Sequence, residues 1–420
     1  MEIHHPGLRS ILDVLRRGES LSVGEFESLQ RQLARLDGQD RPVSDTPGAR
    51  GTTPASGSAA QPALDPTAAL SAGSANRRGT AAFAASFGGR TVDFYRETRE
   101  IFLSSVGIGT YRGAMDDETD AAYVAAIRGA LRAGVNVIDT SLNYRCQRSE
   151  RNVGAALRLF AAQDGGDREG VLVCTKAGFL TSGAIAPGSL RADEVAGTHC
   201  MAPAFLSDQL ERSRRNLGLA VVDVYYLHNP ETQLRFVDAS MFASRMRRAF
   251  ERLEQAVAEG LIAHYGVATW DGFFDGSLSL RSLESLAREV AGDRHHFGFV
   301  QLPVNLGMLD ALRSLAGDEH NVLATADELG FTVLASASLL QGRSAADLPG
   351  WISGVIPDLA TDAQRAIQFA RSTPGVTCAL AGMRDPRHVA DNTAVTTTPP
   401  LSRERYRAAF SAHSVVGRSG

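Results

Sequence analysis

Apolar residues follow two alternating patterns along most of the chain. Short apolar runs, typical of buried strands, alternate with stripes spaced three and four residues apart, typical of helices that bury one face. The stripe over 123–131 is followed by Gly134, the stripe over 206–217 by Gly218, and the stripe over 246–257 by Gly260. Glycine just past such a stripe is the expected left-handed cap. Ser207 is the predicted N-cap of the second helix.

The apolar runs predict eight strands between these helices. They are predicted to end near Gly109, Asp139, Lys176, His228, Ala268, Leu302, Ala335 and Ala381. Eight strands alternating with helices over about 300 residues fit the size of a (β/α)8 TIM barrel, which we expect over 91–400. A doubly wound sheet is the alternative. Its GxGxxG turn is missing, because GIGTYRG after the first strand has a different spacing.

The first 90 residues have a different pattern. Residues 1–40 predict two short amphipathic helices, the second starting at Ser22 with Glu25 at the capping-box spacing. Residues 41–90 are rich in Pro, Gly, Ala, Ser and Thr, and predict a flexible linker. Two short helices need a surface to pack against. We therefore expect 1–40 to dock on a second copy of the chain or on another protein, and 401–420 to be a C-terminal tail.

Composition and charge narrow the class of protein. Of the 420 residues, 43 are Lys or Arg and 47 are Asp or Glu, which gives a net charge of −4 and disfavours nucleic acid or an anionic membrane as partner. No apolar run approaches the roughly 20 residues of a membrane helix, and the N-terminus lacks the apolar core of a secretory signal. The cysteines have no metal-site or paired spacing. We expect a cytoplasmic protein with no metal site and with four reduced thiols, Cys146, Cys174, Cys200 and Cys378.

Four proton-carrying side chains lie at or just after predicted strand ends. Asp139, Lys176 and His228 each end a strand, and Tyr144 follows five residues after Asp139. Singly, they have ordinary explanations as a turn cap, a solvated charge or a structural histidine. In a parallel barrel, however, the C-terminal strand ends meet at one rim, where active sites form. Their shared position predicts that these four residues are catalytic.

The segments that carry these residues resemble the aldo-keto reductase superfamily. The resemblance covers 101–396 in family order and rests on GIGTY, AGVNVIDTSLNY, SERNVGAAL, VCTK, LERSRRNLGLAVVDVYYLHNPE, YGVATW, VQLPVN, LASASLLQG and AGMRDPRHVADN. It implies an oxidoreductase that transfers hydride between NADPH and a carbonyl substrate without a metal.

Carbonyl reduction needs a hydride at carbon and a proton at oxygen. Tyr144 is the expected proton donor. The Lys176 ammonium is expected to pull the pKa of the phenol from near 10 toward neutrality. Asp139 is expected to hold Lys176 charged, and His228 to bind the substrate oxygen. By resemblance, these are the family's four catalytic roles.

The resemblance also implies the cofactor contacts. Gln301 corresponds to the glutamine that contacts the nicotinamide carboxamide, Arg384 to the loop that grips the 2′-phosphate, and Asn392 to the adenine contact. The implied cofactor-binding residues are Gly109, Thr110, Thr269, Gln301, Ser336, Leu339, Gln341, Gly382, Met383, Arg384, His388 and Asn392.

Four positions depart from the family pattern. Ala268 and Thr269 replace a Ser-Asn pair, Ser336 replaces a tyrosine that stacks on the nicotinamide, and His388 replaces Gln or Arg. NADPH is the expected cofactor, with NADH as the alternative.

The segment 177–205 is long for a loop after a strand and is expected to shape the substrate pocket. Further pocket candidates are Tyr111, Trp270 and the loop 229–238. The pair His199–Cys200 could indicate metal or thiol chemistry, but no second pair accompanies it. The pocket candidates in the long segment are Phe179, Leu180, His199, Cys200 and Met201.

Two other functions remain open at this point. A cofactor-binding barrel with a regulatory or interaction role and little turnover would explain the predicted docking helices. A lyase that forms a Schiff base would use Lys176. A turnover assay with a panel of carbonyl compounds distinguishes the first from a reductase, and borohydride trapping reveals the second.

Overall fold

Eight parallel strands form a closed barrel in the computed structural model, which describes residues 70–186, 190–308 and 322–416. Around the barrel each strand lies beside the next barrel strand in sequence, and the last, ending at Gly382, pairs with the first, ending at Gly109, to close it. The predicted fold class is confirmed, and each predicted strand end lies within one residue of the observed end. In chain order the strands are β1 (Tyr95–Thr98), β2 (Ile101–Ser104), β3 (Val106–Gly109), β4 (Val137–Asp139), β5 (Leu172–Ala177), β6 (Val195–Ala196), β7 (His199–Cys200), β8 (Val222–His228), β9 (Ile262–Ala268), β10 (Phe297–Pro303), β11 (Thr332–Ser336) and β12 (Cys378–Gly382).

Helices follow the barrel strands and cover the outside of the barrel. Gly134, Gly218 and Gly260 adopt φ values of 90°, 69° and 70° just past three of these helices, as predicted. None of the helices within the described ranges has both the length and the apolar character that crossing a membrane requires. The helices are α1 (Arg77–Ala85), α2 (Asp117–Arg132), α3 (Arg148–Gln163), α4 (Pro203–Leu217), α5 (Ala239–Ala258), α6 (Leu280–Ala291), α7 (Val322–Glu328), α8 (Trp351–Val355), α9 (Asp362–Ser372), α10 (Pro386–Thr393) and α11 (Arg403–Val416).

Ser207 is not the N-cap that the sequence predicted. Helix α4 begins four residues earlier at Pro203, whose fixed φ suits the first helical position. The Ser207 hydroxyl instead donates to the Pro203 carbonyl at 2.9 Å, inside the helix.

Side chains fill the barrel interior, and a hairpin closes its lower end. Strands β1 and β2 pair antiparallel before the barrel begins, and Ile101 and Leu103 join the interior cluster. The Asn136 side chain fixes this hairpin, since its Oδ1 accepts from Ser104 N at 2.8 Å and its Nδ2 donates to Phe102 O at 2.9 Å. The hairpin covers the N-terminal ends of the strands, so the site must be built at their C-terminal ends.

Residues 70–90 differ from the predicted linker. Ser71 pairs with the backbone of Gly218 and Ala220 at 2.8 Å each, and the Asn76 side chain caps α1 by accepting from Gly79 N at 2.9 Å. The small residues that suggested a linker instead allow close packing, because a Cβ at Gly79 would lie 2.4 Å from the backbone of Glu169. The predicted helical pair of residues 1–40 lies outside the described residues.

The predicted C-terminal tail also contains a packed helix. Within α11, the Tyr406 side chain is buried and its hydroxyl lies 2.7 Å from Thr373 Oγ1. Phe410 packs on Phe369 of α9 with ring centroids 4.7 Å apart. Two aromatic residues four positions apart therefore attach this segment to the barrel shell.

Candidate active site

Three neighbouring barrel strands bring the four predicted catalytic side chains to one rim. Asp139 is the last residue of β4, Lys176 is the second-last residue of β5, and His228 is the last residue of β8. Tyr144 lies in the loop directly after β4. Lys176 and Asp139 are buried, with exposed fractions of 0% and 4%, whereas Tyr144 and His228 are half-buried. The buried pair Lys176 and Asp139 thus lies beneath the two partly exposed rings of Tyr144 and His228.

The Lys176 ammonium is held by oxygens on three sides. Its Nζ lies 2.7 Å and 2.8 Å from the two carboxylate oxygens of Asp139, and 2.8 Å from the carbonyl of Thr140. Burial alone would lower the pKa of Lys176, but Asp139 and Tyr144 outweigh it and raise that pKa above its ordinary value. Lys176 is therefore a fixed positive charge.

The phenol of Tyr144 lies beside this charge. Nζ of Lys176 is 4.9 Å from the centre of the Tyr144 ring. Burial raises the pKa of Tyr144 to about 12, while the Lys176 ammonium acts in the opposite direction. The expected effect of Lys176 is present, but burial exceeds it, so the phenol does not approach neutrality as the sequence suggested. The phenol keeps its proton at neutral pH.

His228 completes the group on the other side of Tyr144. The two ring centroids are 5.9 Å apart and the planes are nearly perpendicular, at 77°. Burial lowers the pKa of His228 well below its ordinary value, and Lys176 and His199 add to that effect. The imidazole is therefore neutral. Its Nδ1 lies 3.4 Å from Ser141 Oγ, and its Nε2 has no hydrogen-bond partner within the described residues.

The loop that carries Tyr144 has an unusual backbone. Arg145, Cys146 and Gln147 follow it with φ values of 49°, 53° and 72°, a left-handed run that is unfavourable for residues with a Cβ. Arg145 anchors the run, because its Nη2 contacts Asp120 Oδ1 at 2.6 Å and its Nε donates to the Ala114 carbonyl at 2.8 Å. A buried ion pair thus fixes the position of Tyr144.

Two of the predicted cofactor contacts are already engaged with the protein. Gln301 Nε2 donates to Asp139 Oδ1 at 2.7 Å, which leaves its Oε1 as a free acceptor for a carboxamide N–H. Thr269 Oγ1 donates to Glu231 at 2.7 Å and accepts from Gly272 N at 2.9 Å. Thr269 therefore has less capacity for a ligand than the sequence suggested.

The remaining predicted cofactor contacts lie at the ends of β3, β11 and β12 and in the loops that follow. Thr110 is buried and its hydroxyl lies 3.1 Å from the Asp139 carbonyl. Met383 is fully buried in the core, so only its backbone is available to a ligand. The others are Gly109 and Ser336 at strand ends, Leu339 and Gln341 in the loop after β11, Gly382 at the end of β12, Arg384 in the following loop, and His388 and Asn392 in α10.

The loop after β12 has the chemistry of an anion site. Arg384 is exposed and makes no ion pair or hydrogen bond within the described residues, whereas Arg387 is paired with Asp385 at 2.6 Å. A Cβ at Gly382 would meet nothing within 4 Å, so the backbone there is open to a ligand. An unpaired guanidinium two residues after an open glycine fits a phosphate group.

The long segment after β5 contributes one ring to the site. Phe179 packs its ring against His228 at 5.0 Å and against His199 at 5.3 Å, with interplanar angles of 88° and 87°. Tyr111 packs against Tyr144 at 4.9 Å, and both Tyr111 and Trp270 are exposed. The other predicted pocket residues of the segment are buried beneath it and support it: Leu180, His199, Cys200 and Met201.

The sequence did not reveal the contact between His199 and His228. His199 Nε2 lies 2.8 Å from the His228 carbonyl, across 29 positions of the chain. The sequence analysis named His199 only as a candidate of the substrate pocket. In the described parts of the chain, no three His, Cys, Asp or Glu side chains are grouped so that they could hold a metal ion.

A family model matches more than half of the chain. It is described as the aldo/keto reductase family, and the match covers residues 105–343. The matched range contains Asp139, Tyr144, Lys176 and His228.

Solved structures of the same kind share the fold. An aldo/keto reductase from Klebsiella pneumoniae in complex with NADP and acetate is 22% identical, with a TM-score of 0.55, over 77% of this chain and 95% of that one. A glycerol dehydrogenase from Gluconobacter oxydans is 19% identical, with a TM-score of 0.56, over 78% and 96%. The holo form of an aldo-keto reductase from Bacillus halodurans is 19% identical, with a TM-score of 0.54, over 76% and 95%.

Proposed function

The chain belongs to the aldo/keto reductase family, and from this premise we propose that it reduces an aldehyde or ketone with NADPH, with Tyr144 as the proton donor. Membership makes it an oxidoreductase that acts on carbonyl or alcohol groups. The observation that carries the finer proposal is the fixed charge of Lys176, bound to both oxygens of Asp139 and 4.9 Å from the Tyr144 ring.

The proton step follows from these positions. The Tyr144 hydroxyl gives its proton to the substrate oxygen as hydride reaches the carbonyl carbon. The phenolate that remains is stabilised by the Lys176 ammonium, whose contribution is needed because burial disfavours the charged phenol. Water then returns the proton to Tyr144. The neutral His228 ring, with a free Nε2, donates to the substrate oxygen and stabilises the charge that develops there in the transition state.

NADPH, when bound, supplies the hydride. Gln301 Oε1 would accept from the nicotinamide carboxamide, because the side-chain nitrogen of Gln301 already donates to Asp139. The unpaired Arg384 suits the 2′-phosphate, and the Asn392 side chain, which makes no hydrogen bond within the described residues, suits the adenine. Similar folds solved with NADP and NADPH support this choice of cofactor.

A Schiff-base lyase is less well supported. Its lysine must be a neutral, reachable amine, but Lys176 has no exposed surface and its pKa is raised by Asp139 and Tyr144 against the effect of burial. The regulatory alternative rests on residues 1–40, outside the described residues. The complete Asp139, Tyr144, Lys176 and His228 group favours turnover.

Replacing Tyr144 tests the proposal. In Tyr144→Phe, we expect NADPH oxidation with a panel of small aldehydes and ketones to fall by about 10²–10⁴-fold, because the proton donor is removed. NADPH binding, followed by nucleotide fluorescence, should be unchanged. Tyr95→Phe is the control, since that hydroxyl donates to the Gly134 carbonyl at the other end of the barrel. Wild-type turnover in Tyr144→Phe would exclude Tyr144 as the donor.

A further inference from the structure

The catalytic rim contains a buried chain of hydrogen bonds that the proposed reaction does not use. It begins at Arg245 of α5, passes through Gln233 and His199, and ends at the backbone carbonyl of His228. All three side chains are buried, with exposed fractions of 5%, 0% and 0%. These hydrogen bonds connect helix α5 on the outside of the barrel, the β6–β7 hairpin in the long loop after β5, and the end of β8.

The donor and acceptor of each hydrogen bond in this series are determined by the two groups at its ends, the Arg245 guanidinium and the His228 carbonyl. Arginine can only donate, so Gln233 Oε1 accepts from Arg245 Nη1 at 2.7 Å. Gln233 Nε2 must then donate to His199 Nδ1, 3.1 Å away. At the other end a carbonyl can only accept, so His199 Nε2 carries the proton toward His228 O at 2.8 Å. Both ends require the same neutral tautomer of His199, with hydrogen on Nε2 only.

The electrostatics of the site agree with a neutral ring. Burial, with a smaller contribution from Arg245, lowers the pKa of His199 to about 4 against the opposing effect of the hydrogen bond to His228. A second ring proton, on Nδ1, would face the Gln233 amide hydrogens. His199 is therefore a permanent single donor to the His228 carbonyl.

The carbonyl of His228 has a particular need for this donor. Strand β8 ends at His228, and the next residue, Asn229, turns into the left-handed region with φ 49°. The Asn229 N–H donates to the Ala268 carbonyl at 2.7 Å, and the His228 carbonyl faces the loop after β5, where His199 Nε2 lies 2.8 Å away. A carbonyl shielded from water is destabilising when it has no hydrogen-bond donor. His199 satisfies it at the residue whose ring reaches the substrate.

The surroundings leave little room for a different arrangement. A Cβ at Gly178 would lie 2.4 Å from His199 Nε2 and 2.8 Å from the His228 carbonyl. The Phe179 ring packs edge to face against both histidines. The loop after β5 and the end of β8 are thus locked together at this hydrogen bond.

We propose that His199 is a positioning residue of the carbonyl reduction, which holds the backbone of His228, and hence its ring, through a hydrogen bond from Nε2 to the His228 carbonyl. Arg245 and Gln233 fix the tautomer that makes this bond. The inference rests on the proposed function, since it assigns His199 a role through His228.

Two amide substitutions at His199 test the proposal as a matched pair. The side-chain nitrogen of glutamine reaches about the position of imidazole Nε2, whereas that of asparagine reaches only about the position of Nδ1. We expect His199→Gln to retain most of the wild-type kcat, and His199→Asn to lose kcat on the order of 10- to 100-fold, the scale of a misplaced catalytic group. KM for the carbonyl should change little in both variants, because the lost interaction acts in the transition state.

A purely structural role would give a different pattern. Loss of loop structure in both variants would raise KM and lower the melting temperature in parallel, and equal kcat in the two variants would also overturn the proposal. NADPH binding is measured in each variant to show that the cofactor site is intact.

The tautomer provides a readout that needs neither turnover nor folded variants. Long-range ¹H–¹⁵N NMR of the wild-type protein should show His199 with a protonated Nε2 and a bare Nδ1 at neutral pH. A proton on Nδ1 overturns the proposal. If the wild-type protein reduces no carbonyl with NADPH, the proposed function fails, and the positioning role fails with it even where the tautomer is as expected.

Discussion

At the scale of single residues, the charged groups of the site are buried, and the groups that are partly exposed are neutral. Lys176 and Asp139 are buried and neutralise each other, and Tyr144 and His228 extend from them toward solvent without formal charge. Removing one member of a buried ion pair leaves the other uncompensated, which is far more costly than losing an exposed pair. The two half-buried rings therefore lie beside an ion pair that has almost no exposed surface.

The two arginines after β12 give a test at the same scale. Arg384 has no partner within the described residues, whereas the Arg387 guanidinium is bound to Asp385. We expect Arg384→Ala to weaken NADPH binding much more than NADH binding, because only NADPH carries the 2′-phosphate. Arg387→Ala is the control and should affect both cofactors little.

Titration of each variant with both nucleotides, followed by nucleotide fluorescence, measures this difference. Equal weakening of NADPH and NADH by Arg384→Ala would remove Arg384 from the phosphate contact. A larger effect of Arg387→Ala would move the contact to the other arginine.

The sequence identified the four catalytic candidates because Asp139, Lys176 and His228 each end an apolar run and Tyr144 follows five residues after Asp139. It could not identify the role of His199, since a hydrogen bond to a carbonyl 29 residues away leaves no periodic signal. It also missed the net pKa of Tyr144. The opposing effect of Lys176 could be inferred from the residue types, but burial of the phenol depends on the folded surroundings.

At the scale of elements, the same reasoning explains which segments were predictable. The barrel strands were located because each must be apolar on both faces. Helix α1 was not, because its sequence RRGTAAFAA has one large apolar residue, Phe83, and small residues elsewhere. Those small residues pack against the backbone near Glu169. A helix that packs through small residues has the same composition as a flexible linker, so composition alone does not distinguish the two.

Two glycine substitutions with opposite expected effects test the packing of α1. Gly→Ala inside a helix ordinarily stabilises by about 1 kcal/mol. At Gly129 of α2 the nearest atom to an added Cβ is a Val389 methyl at 3.6 Å, an ordinary contact, so Gly129→Ala should stabilise the protein. At Gly79 the added Cβ would overlap the Glu169 backbone, so Gly79→Ala should destabilise it by about 1–3 kcal/mol.

Urea unfolding of both variants beside the wild type measures the two shifts. A rise in the urea midpoint for Gly79→Ala would show that α1 does not press on Glu169.

At the scale of the whole molecule, the structure moves the boundary between extension and barrel. The sequence placed it near residue 90, but the chain already contacts the barrel at Ser71, and Ala75 N donates to the buried Asp223 carboxylate at 2.6 Å. Asp223 also accepts from Val173 N and Arg168. The segment 70–88 thus belongs to the folded unit.

Two truncations separate these boundaries. Deleting 1–69 should leave kinetics with a small aldehyde and the melting temperature near wild type, because no residue of the site lies there. Deleting 1–88 should lower the melting temperature, because it removes α1 and leaves Asp223 without one of its donors. Light scattering of full-length and shortened protein also tests whether 1–40 mediates self-association.

If both truncations have the same melting temperature, the folded unit begins near residue 90, as the sequence predicted. Loss of activity in a folded protein without 1–69 would show that the extension reaches the site. Equal masses for full-length and shortened protein would argue against self-association.

The position at which the chain first contacts the barrel determines which end of the barrel an attachment at that position would hold. Ser71 pairs beside Leu219, just before β8 begins, so the chain arrives at the pole opposite Tyr144. A support attached directly at Ser71 would therefore hold the protein by the end of the barrel opposite the C-terminal ends of the strands, where the candidate catalytic residues lie.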